Sequence, residues 1–270
     1  MNDASPDVAP IAVVVAMESE LQHLLHLTTP VREAREGPWR DRFVMAGDVP
    51  LIALCCGIGM VNAAAGTEHI VSRYAPRAVL NYGCVGAHRR DILPGDVIIG
   101  DGAVNHGAVH ILANGDEYFP GQEYQFAGEE VAQTELATDP VLRDLTIAAA
   151  RDWAPDPWPQ GLNLPPGIEQ RPPQTHVGRV GSADQWNQAH TRIDTLHARH
   201  RTLCEDMEAA AIAQVCARHG VPFMTVKDVS NNEYHVLTEL VGEIDVLPAE
   251  EVGRRAAELL VRTIARIGMG

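Results

Sequence analysis

Residues 10–17, PIAVVVAM, form a continuous apolar and largely β-branched run. Such a run predicts a strand buried on both faces, as in a sheet covered by helices. ESELQHLLHL follows with Leu21, Leu24 and Leu25 at helical spacing. FVMAGDVPLIALCC (43–56) predicts two strands with a turn near Gly47 and Asp48. GIGMVNAAAGTEHIVSRYA (57–75) reads as a glycine turn into a helix. PRAVLNYGCVG (76–86) and GDVIIGDGAV (95–104) read as strands, and a helix is expected near 140–152. HVGRVGSA (176–183) is the next strand. LCEDMEAAAIAQVCARH (203–219) reads as a buried helix with an acidic start, and VPFMTVKDVS as the strand after it. Residues 249–267 predict a closing amphipathic helix with Val252, Ala256, Leu259, Leu260 and Ile264 on one face.

Strands alternating with helices imply an α/β chain, a layered α/β/α domain. The expected organisation is a disordered tail over 1–9 and a single domain over 10–270. Residues 154–176, APDPWPQGLNLPPGIEQRPPQTH, are too rich in proline for a continuous helix or central strand, and read as a surface loop. No internal repeat is visible. In such folds ligands sit at the carboxyl ends of the strands.

Charge narrows the partner. The formal net charge is −15, from 36 acids against 21 lysines and arginines. A nucleic-acid binder would show a basic excess, so a small molecule is the expected partner. The N-terminus MNDASPDVAP lacks a secretory pattern, and no apolar stretch approaches the roughly 18 residues of a membrane span. The five cysteines form no CxxC pair or zinc-type spacing and lie in apolar segments. A reduced, cytoplasmic protein without metal or cofactor is expected. His197 with His200 has a spacing that can bind metal, but no third ligand is evident, and a solvated helix face is expected there.

The chemistry is sought at AMESE (16–20), CCGIGMVNAA (55–64), NYGCVGA (81–87), VKDVSNNE (226–233) and the acids at 205–208. Each alone has a plain reading. The glycines make tight turns, Glu20 and Glu208 suit helix N-termini, Asp206 suits a cap, and Met207 suits a core. Together they place several acids at strand ends and helix starts, with Lys227 as the main candidate partner. Such a site suits a neutral polyhydroxyl ligand or a cationic transition state. It does not suit phosphate, which wants Arg, Lys or helix N-termini free of acids.

IAVVVAMESEL, CGIGMVNAAAG, PRAVLNYGCVGA with LPGDVIIGD, VGSADQWN, and EDMEAAAIAQVCARHGVPFMTVKDVSNN occur in one order over most of residues 11–235. In these pieces the chain resembles the nucleoside phosphorylase/nucleosidase superfamily, and most of all the 5′-methylthioadenosine/S-adenosylhomocysteine nucleosidases. The resemblance implies a three-layer α/β/α sandwich with a mixed central sheet, usually as a homodimer, and hydrolysis of the bond between a purine and a ribose. Glu20 would hold the attacking water beside Met17. Met207 and Glu208 would meet the ribose, and Cys84, Val85 and Gly86, with Ile58, would line sugar and base. Gln185 and Trp186 would meet the purine. Lys227 and Asp206 would lie near the water-holding glutamate, and Ser230 would support the base-binding residue after it. In such a dimer a segment of one copy would close the 5′ end of the other copy's site, and the 105–126 stretch, with His106, Tyr118, Phe119 and Tyr124, is the candidate.

The chain departs from the pattern where the family has an acid to protonate N7 of the purine. Here that residue is Asn231, and an amide cannot donate a proton as a general acid. Three readings follow: a 6-oxopurine nucleosidase of futalosine or inosine type, an adenine nucleosidase with another proton source such as Asp228, Glu233 or water, or an Asp replaced by design to trap a ligand; a non-catalytic nucleoside-binding homologue is the competing class. Phosphorylases of the superfamily surround phosphate with arginines. Only Arg89 and Arg90 lie near a candidate stretch, so water is the expected nucleophile.

Overall fold

The computed structural model describes residues 9–126, 128–156, 171–235 and 251–268. Nearly all of the expected N-terminal tail, residues 157–170 of the expected loop, and residues 236–250 lie outside them.

The apolar run at the start is β1 (Ile11–Val15), buried at every position. Its side chains alternate between two cores. Ala12 and Val14 join one, and Ile11, Val13 and Val15 join the other. That is why no polar residue interrupts the run. α1 (Glu18–His26) follows. β2 (Thr29–Glu36), β3 (Trp39–Ala46) and β4 (Val49–Cys55) form an antiparallel meander. The sequence pattern missed β2, because TPVREARE is almost wholly exposed and has no apolar face. α2 (Met60–Tyr74), β5 (Ala78–Ala87) and β6 (Val97–Asn105) come next. Five short strands then precede α3 (Pro140–Arg151): β7 (His110–Ile111), β8 (Glu117–Tyr118), β9 (Gln122–Phe126), β10 (Glu129–Gln133) and β11 (Leu136–Ala137). The chain ends with β12 (Thr175–Ser182), α4 (His190–His200), β13 (Thr202–Asp206), α5 (Ala209–His219), β14 (Phe223–Asn231) and α6 (Arg254–Gly268).

The central sheet is ten-stranded and mixed, as the resemblance implied. α2 and α5 cover one face with Ala63, Ile70, Ile212 and Cys216. α1, α3 and α6 cover the other with Leu21, Leu24, Leu142, Leu259 and Leu260. β5 organises the sheet. β1 runs parallel to it along Ala78 to Asn81. β13 takes over that edge at Gly86 and Ala87, antiparallel. β14 holds the opposite edge, parallel, from Val79 to Gly86. β14 also pairs β6, β6 pairs β12 and β12 pairs β13, so these strands close a ring through β5. The ring brings the carboxyl ends of β5, β12, β13 and β14 around one point.

Two expectations need correction. Residues 203–206 are strand, not helix: Thr202 to Asp206 pair with β12, and the helix begins at Ala209. The pair His197 and His200 is not a solvated face. His200 is buried and stacks edge-on against Phe119 with ring centroids 4.5 Å apart, while His197 Nδ1 lies 2.8 Å from the Thr202 carbonyl. Burial lowers the His200 pKa to about 4.

Candidate active site

A cavity of about 290 Å³ opens where those strand ends meet. It is lined by Met17, Glu20, Ile58, Cys84, Val85, Gly86, Gln185, Trp186, Asp206, Met207, Glu208, Lys227, Ser230 and Asn231. The fourteen residues that the resemblance assigned to the site thus lie around one space.

Glu20 is on the first turn of α1 and is 2% exposed. Its Oε2 accepts from the Met17 amide at 3.2 Å, which satisfies a helix N-terminal donor. Its Oε1 accepts from the Cys84 amide at 2.8 Å. Gly83 makes that approach possible, since a Cβ there would stand 2.8 Å from Oε1. The Tyr82 hydroxyl donates to the Glu20 carbonyl at 2.6 Å and fixes the turn against β5. Burial raises the carboxyl pKa above its usual value, against the pull of the Cys84 amide and of Lys227.

Lys227 and Asp206 form an ion pair of 2.7 Å, both almost fully buried. Ser182 Oγ donates to Asp206 at 2.5 Å, and the Glu208 and Ala209 amides donate to the same carboxylate. Asp206 therefore caps the entry to α5 while it neutralises the cavity's lysine. Burial alone would lower the lysine pKa, but Asp206 and Glu208 hold it above its usual value. Burial, with repulsion from Asp206, pushes the Glu208 carboxyl up to about 7.

The glycine turn before α2 is not an open anion cradle. Gly59, held at φ 103°, donates its amide to Glu208 Oε1 at 2.8 Å. The Met60 amide donates to Asp184 Oδ1 at 2.7 Å. Carboxylates thus occupy the helix terminus that a phosphate would use. Arg89 pairs with Asp91 on the surface, Arg90 lies over the Tyr234 ring, and neither lines the cavity.

At the base end, Asn231 Nδ2 donates to Glu233 Oε1 at 2.8 Å, and Ser230 Oγ donates to Asn231 Oδ1 at 3.0 Å. Asp228 does not line the cavity. Strand alternation turns it to the other face, where its carboxylate accepts from the Arg255 amide at 3.1 Å. Burial raises it to about 7. His106, Tyr118 and Phe119 do not line this chain's own cavity either. The Tyr124 side chain lies outside the described residues.

Sequence reasoning left out Asn187 and His88 as lining residues, and gave Glu205, one of the acids at 205–208, no role of its own. Glu205 accepts from Asn187 Nδ2 at 2.7 Å, with His88 Nε2 at 3.3 Å and His106 Nε2 at 3.5 Å. Burial alone would raise this carboxyl, but contacts with His106, His88 and Asn187 outweigh it and hold the pKa at about 2. No sequence signal links these residues, which β5, β6 and β13 bring together. Among the described residues no group of His, Cys, Asp and Glu is placed to hold a metal ion, and no helix is long and apolar enough to cross a membrane.

The phosphorylase superfamily model matches residues 10–265. The chain belongs to the phosphorylase superfamily. Within the superfamily it is 30% identical to the 5′-methylthioadenosine/S-adenosylhomocysteine nucleosidase of Geobacillus thermodenitrificans, over 84% of this chain and 87% of that one. It is 28% identical to the nucleosidase of the same name from Marinomonas, over 82% and 85%. Solved structures share the fold at lower identity. The futalosine hydrolase of Helicobacter pylori superposes with a TM-score of 0.74 at 19% identity, covering 96% of this chain and 98% of that one. The Neisseria meningitidis 5′-methylthioadenosine/S-adenosylhomocysteine nucleosidase, in complex with methylthio-immucillin-A, gives 0.70 at 24%, covering 97% and 99%. This superfamily member therefore has the expected fold, with the strand-end cavity where its sequence motifs converge.

Proposed function

We propose that this chain hydrolyses the N-glycosidic bond of a purine nucleoside. The observation that carries the reading is the Glu20 carboxylate, fixed at 2.8 Å by the Cys84 amide beside a cavity whose only lysine is already paired with Asp206. A nucleophilic water fits that acceptor, and among the described residues that line the cavity a phosphate finds no arginine and no lysine besides the paired Lys227.

The steps follow from the lining. Glu208 and Met207 hold the ribose, whose hydroxyls a carboxylate can accept. The bond from N9 to C1′ breaks with its electron pair going to the base, and the sugar becomes oxocarbenium-like. The carboxylates of Glu20 and Glu208 stabilise that positive charge. The base takes a proton from solvent at N7 as it leaves, water on Glu20 attacks C1′, and the proton that this water gives to Glu20 returns to solvent. The products are a free purine and the sugar hemiacetal.

The names of the relatives point to 5′-methylthioadenosine and S-adenosylhomocysteine as substrates. On that reading the enzyme serves methionine salvage in the cytoplasm. Asn231 favours a second reading, a 6-oxopurine nucleoside, because an amide gives no proton to N7 but accepts one held there. We also propose a homodimer. Ile58 and Trp186, which line the cavity, are each 53% exposed, Val61 on α2 is 77% exposed, and a second copy would cover them.

The test is purine release in phosphate-free buffer, comparing 5′-methylthioadenosine, S-adenosylhomocysteine and inosine. Release of base from any of them, unchanged when phosphate is added, is the expected result. No release from any, or release only with phosphate, rejects the hydrolase.

A further inference from the structure

Asn231 and Glu233 constrain each other at the base end of the cavity. A carboxylate only accepts hydrogen bonds, so the amide atom 2.8 Å from Glu233 Oε1 is the NH2 group. On the other side the Ser230 hydroxyl donates to the amide oxygen at 3.0 Å. The same hydroxyl lies 3.2 Å from the Val85 carbonyl and can donate there instead, so it is Glu233 that fixes the orientation of the amide. The turn that carries Glu233 is itself pinned. Asn232 Nδ2 donates to the Arg89 and Ile92 carbonyls at 2.8 and 2.7 Å, and its oxygen accepts from the Tyr234 amide at 3.0 Å. Glu233 is 3% exposed and lines the cavity, with Trp186 Nε1 at 3.4 Å from the same carboxylate oxygen.

An amide locked in this way presents a fixed row: acceptor from Asn231 Oδ1, donor from Asn231 Nδ2, acceptor from Glu233. A 6-oxopurine with a proton on N7 offers the complement: donor at N7, acceptor at O6, donor at N1. Adenine carries an amino group at position 6 and an acceptor at N1. It can set N7 against Nδ2 and its amino group against the amide oxygen or Glu233, which leaves N1 without a donor, and Nδ2 opposes the N7 proton that would make adenine leave.

We propose that Glu233 and Asn231 form a specificity-determining pair that selects a 6-oxopurine nucleoside, with Glu233 accepting from N1–H. The proposal rests on the purine nucleoside reading above and names the base class for the same site. Interactions made only with the N7-protonated leaving base raise the rate of bond cleavage rather than only the affinity. Asn231 then takes part in leaving-group stabilisation without being an acid.

Two measurements separate this proposal from the hydrolase reading. The first is binding of free hypoxanthine and free adenine by calorimetry, for the natural chain and for Glu233→Gln. The second is base release from 5′-methylthioinosine and 5′-methylthioadenosine, which share one 5′ group. Hypoxanthine is expected to bind about 10-fold tighter or more, the worth of one hydrogen bond to a charged acceptor. The 6-oxo nucleoside is expected to be cleaved roughly 100-fold faster, since a site with buried polar groups rejects a substrate that leaves them unpaired. Glu233→Gln can donate or accept, frees the Asn231 amide to turn, and is expected to bring both ratios within about 3-fold of unity. Equal or tighter adenine binding by the natural chain overturns the proposal without any variant. So does a preference that survives Glu233→Gln. If hypoxanthine is preferred but neither nucleoside is cleaved, the selectivity stands and the hydrolase reading fails. If both nucleosides are cleaved at equal rates with no binding preference, the hydrolase stands and the selecting pair fails.

Discussion

Gly83 lies where any larger residue would collide with Glu20: a Cβ on it would stand 2.8 Å from the carboxylate oxygen that accepts from the Cys84 amide. β5 therefore does two things at one point. Its backbone donates to the proposed base, and its missing side chain leaves the space the carboxylate needs. Gly83→Ala is expected to fold, because the atom in the way is the end of a side chain. It is expected to displace Glu20 and to lower kcat by about 100-fold or more, the scale of losing a positioned base. Steady-state kinetics beside a thermal melt check this. A melt that collapses with the activity would show a structural role instead.

Glu20→Gln removes the base and keeps the shape. Base release is expected to fall roughly 10²–10⁴-fold, with product binding within a few-fold of the natural chain. The carboxylate is the active form, and burial raises its pKa. The acid limb of kcat/KM is therefore expected above the ordinary glutamate value of about 4.3, and to be absent from the residual activity of the variant. A limb at or below the ordinary value would count against Glu20 as the titrating base.

Asp228 makes a pH prediction away from the cavity. Its folded pKa of about 7 lies above the ordinary aspartate value, so between the two the folded state binds more protons than the unfolded chain. Its contribution is present at low pH and is lost as pH rises toward 7. Asp228→Asn keeps an acceptor for the Arg255 amide and removes the titration. Relative to the natural chain the variant is expected to gain roughly 2–4 kcal/mol between about pH 4 and pH 8, with activity retained. Urea unfolding across that range reads it. A constant difference between the two proteins would contradict the assignment.

Lys227 and Asp206 are buried together at 2.7 Å. Lys227→Met leaves Asp206 as an uncompensated buried charge, and is expected to cost roughly 3–5 kcal/mol in urea unfolding. A loss below about 1 kcal/mol would mean that Asp206 is held by Ser182 and the α5 amides alone.

Much of this was legible before any coordinates. β1 is visible because both its faces are buried and its run is unbroken. The glycine-ended strands are visible because glycine marks where backbone must approach a neighbour. Most of the cavity residues lie in five stretches that the sequence puts at strand ends, whereas Gln185 and Trp186 follow from the family resemblance alone. β2 was not legible, since an exposed strand carries no apolar alternation. β13 was read as helix because LCED is short and runs directly into an alanine-rich helix. The Glu205 cluster draws His88 from β5's end and His106 from beyond β6, and nothing local joins them. The meaning of Glu233 required the turn after β14, which brings its carboxylate onto the amide of a residue two positions earlier.

The proposed nucleophile is water activated at Glu20. The most direct measurement is base release from a purine nucleoside in isotope-labelled water, with and without phosphate, followed by mass analysis of the sugar. The account predicts one labelled oxygen at C1 of the sugar, a rate independent of phosphate, and loss of that product in Glu20→Gln. A sugar 1-phosphate formed in the presence of phosphate, or labelled sugar produced at full rate by Glu20→Gln, would contradict it.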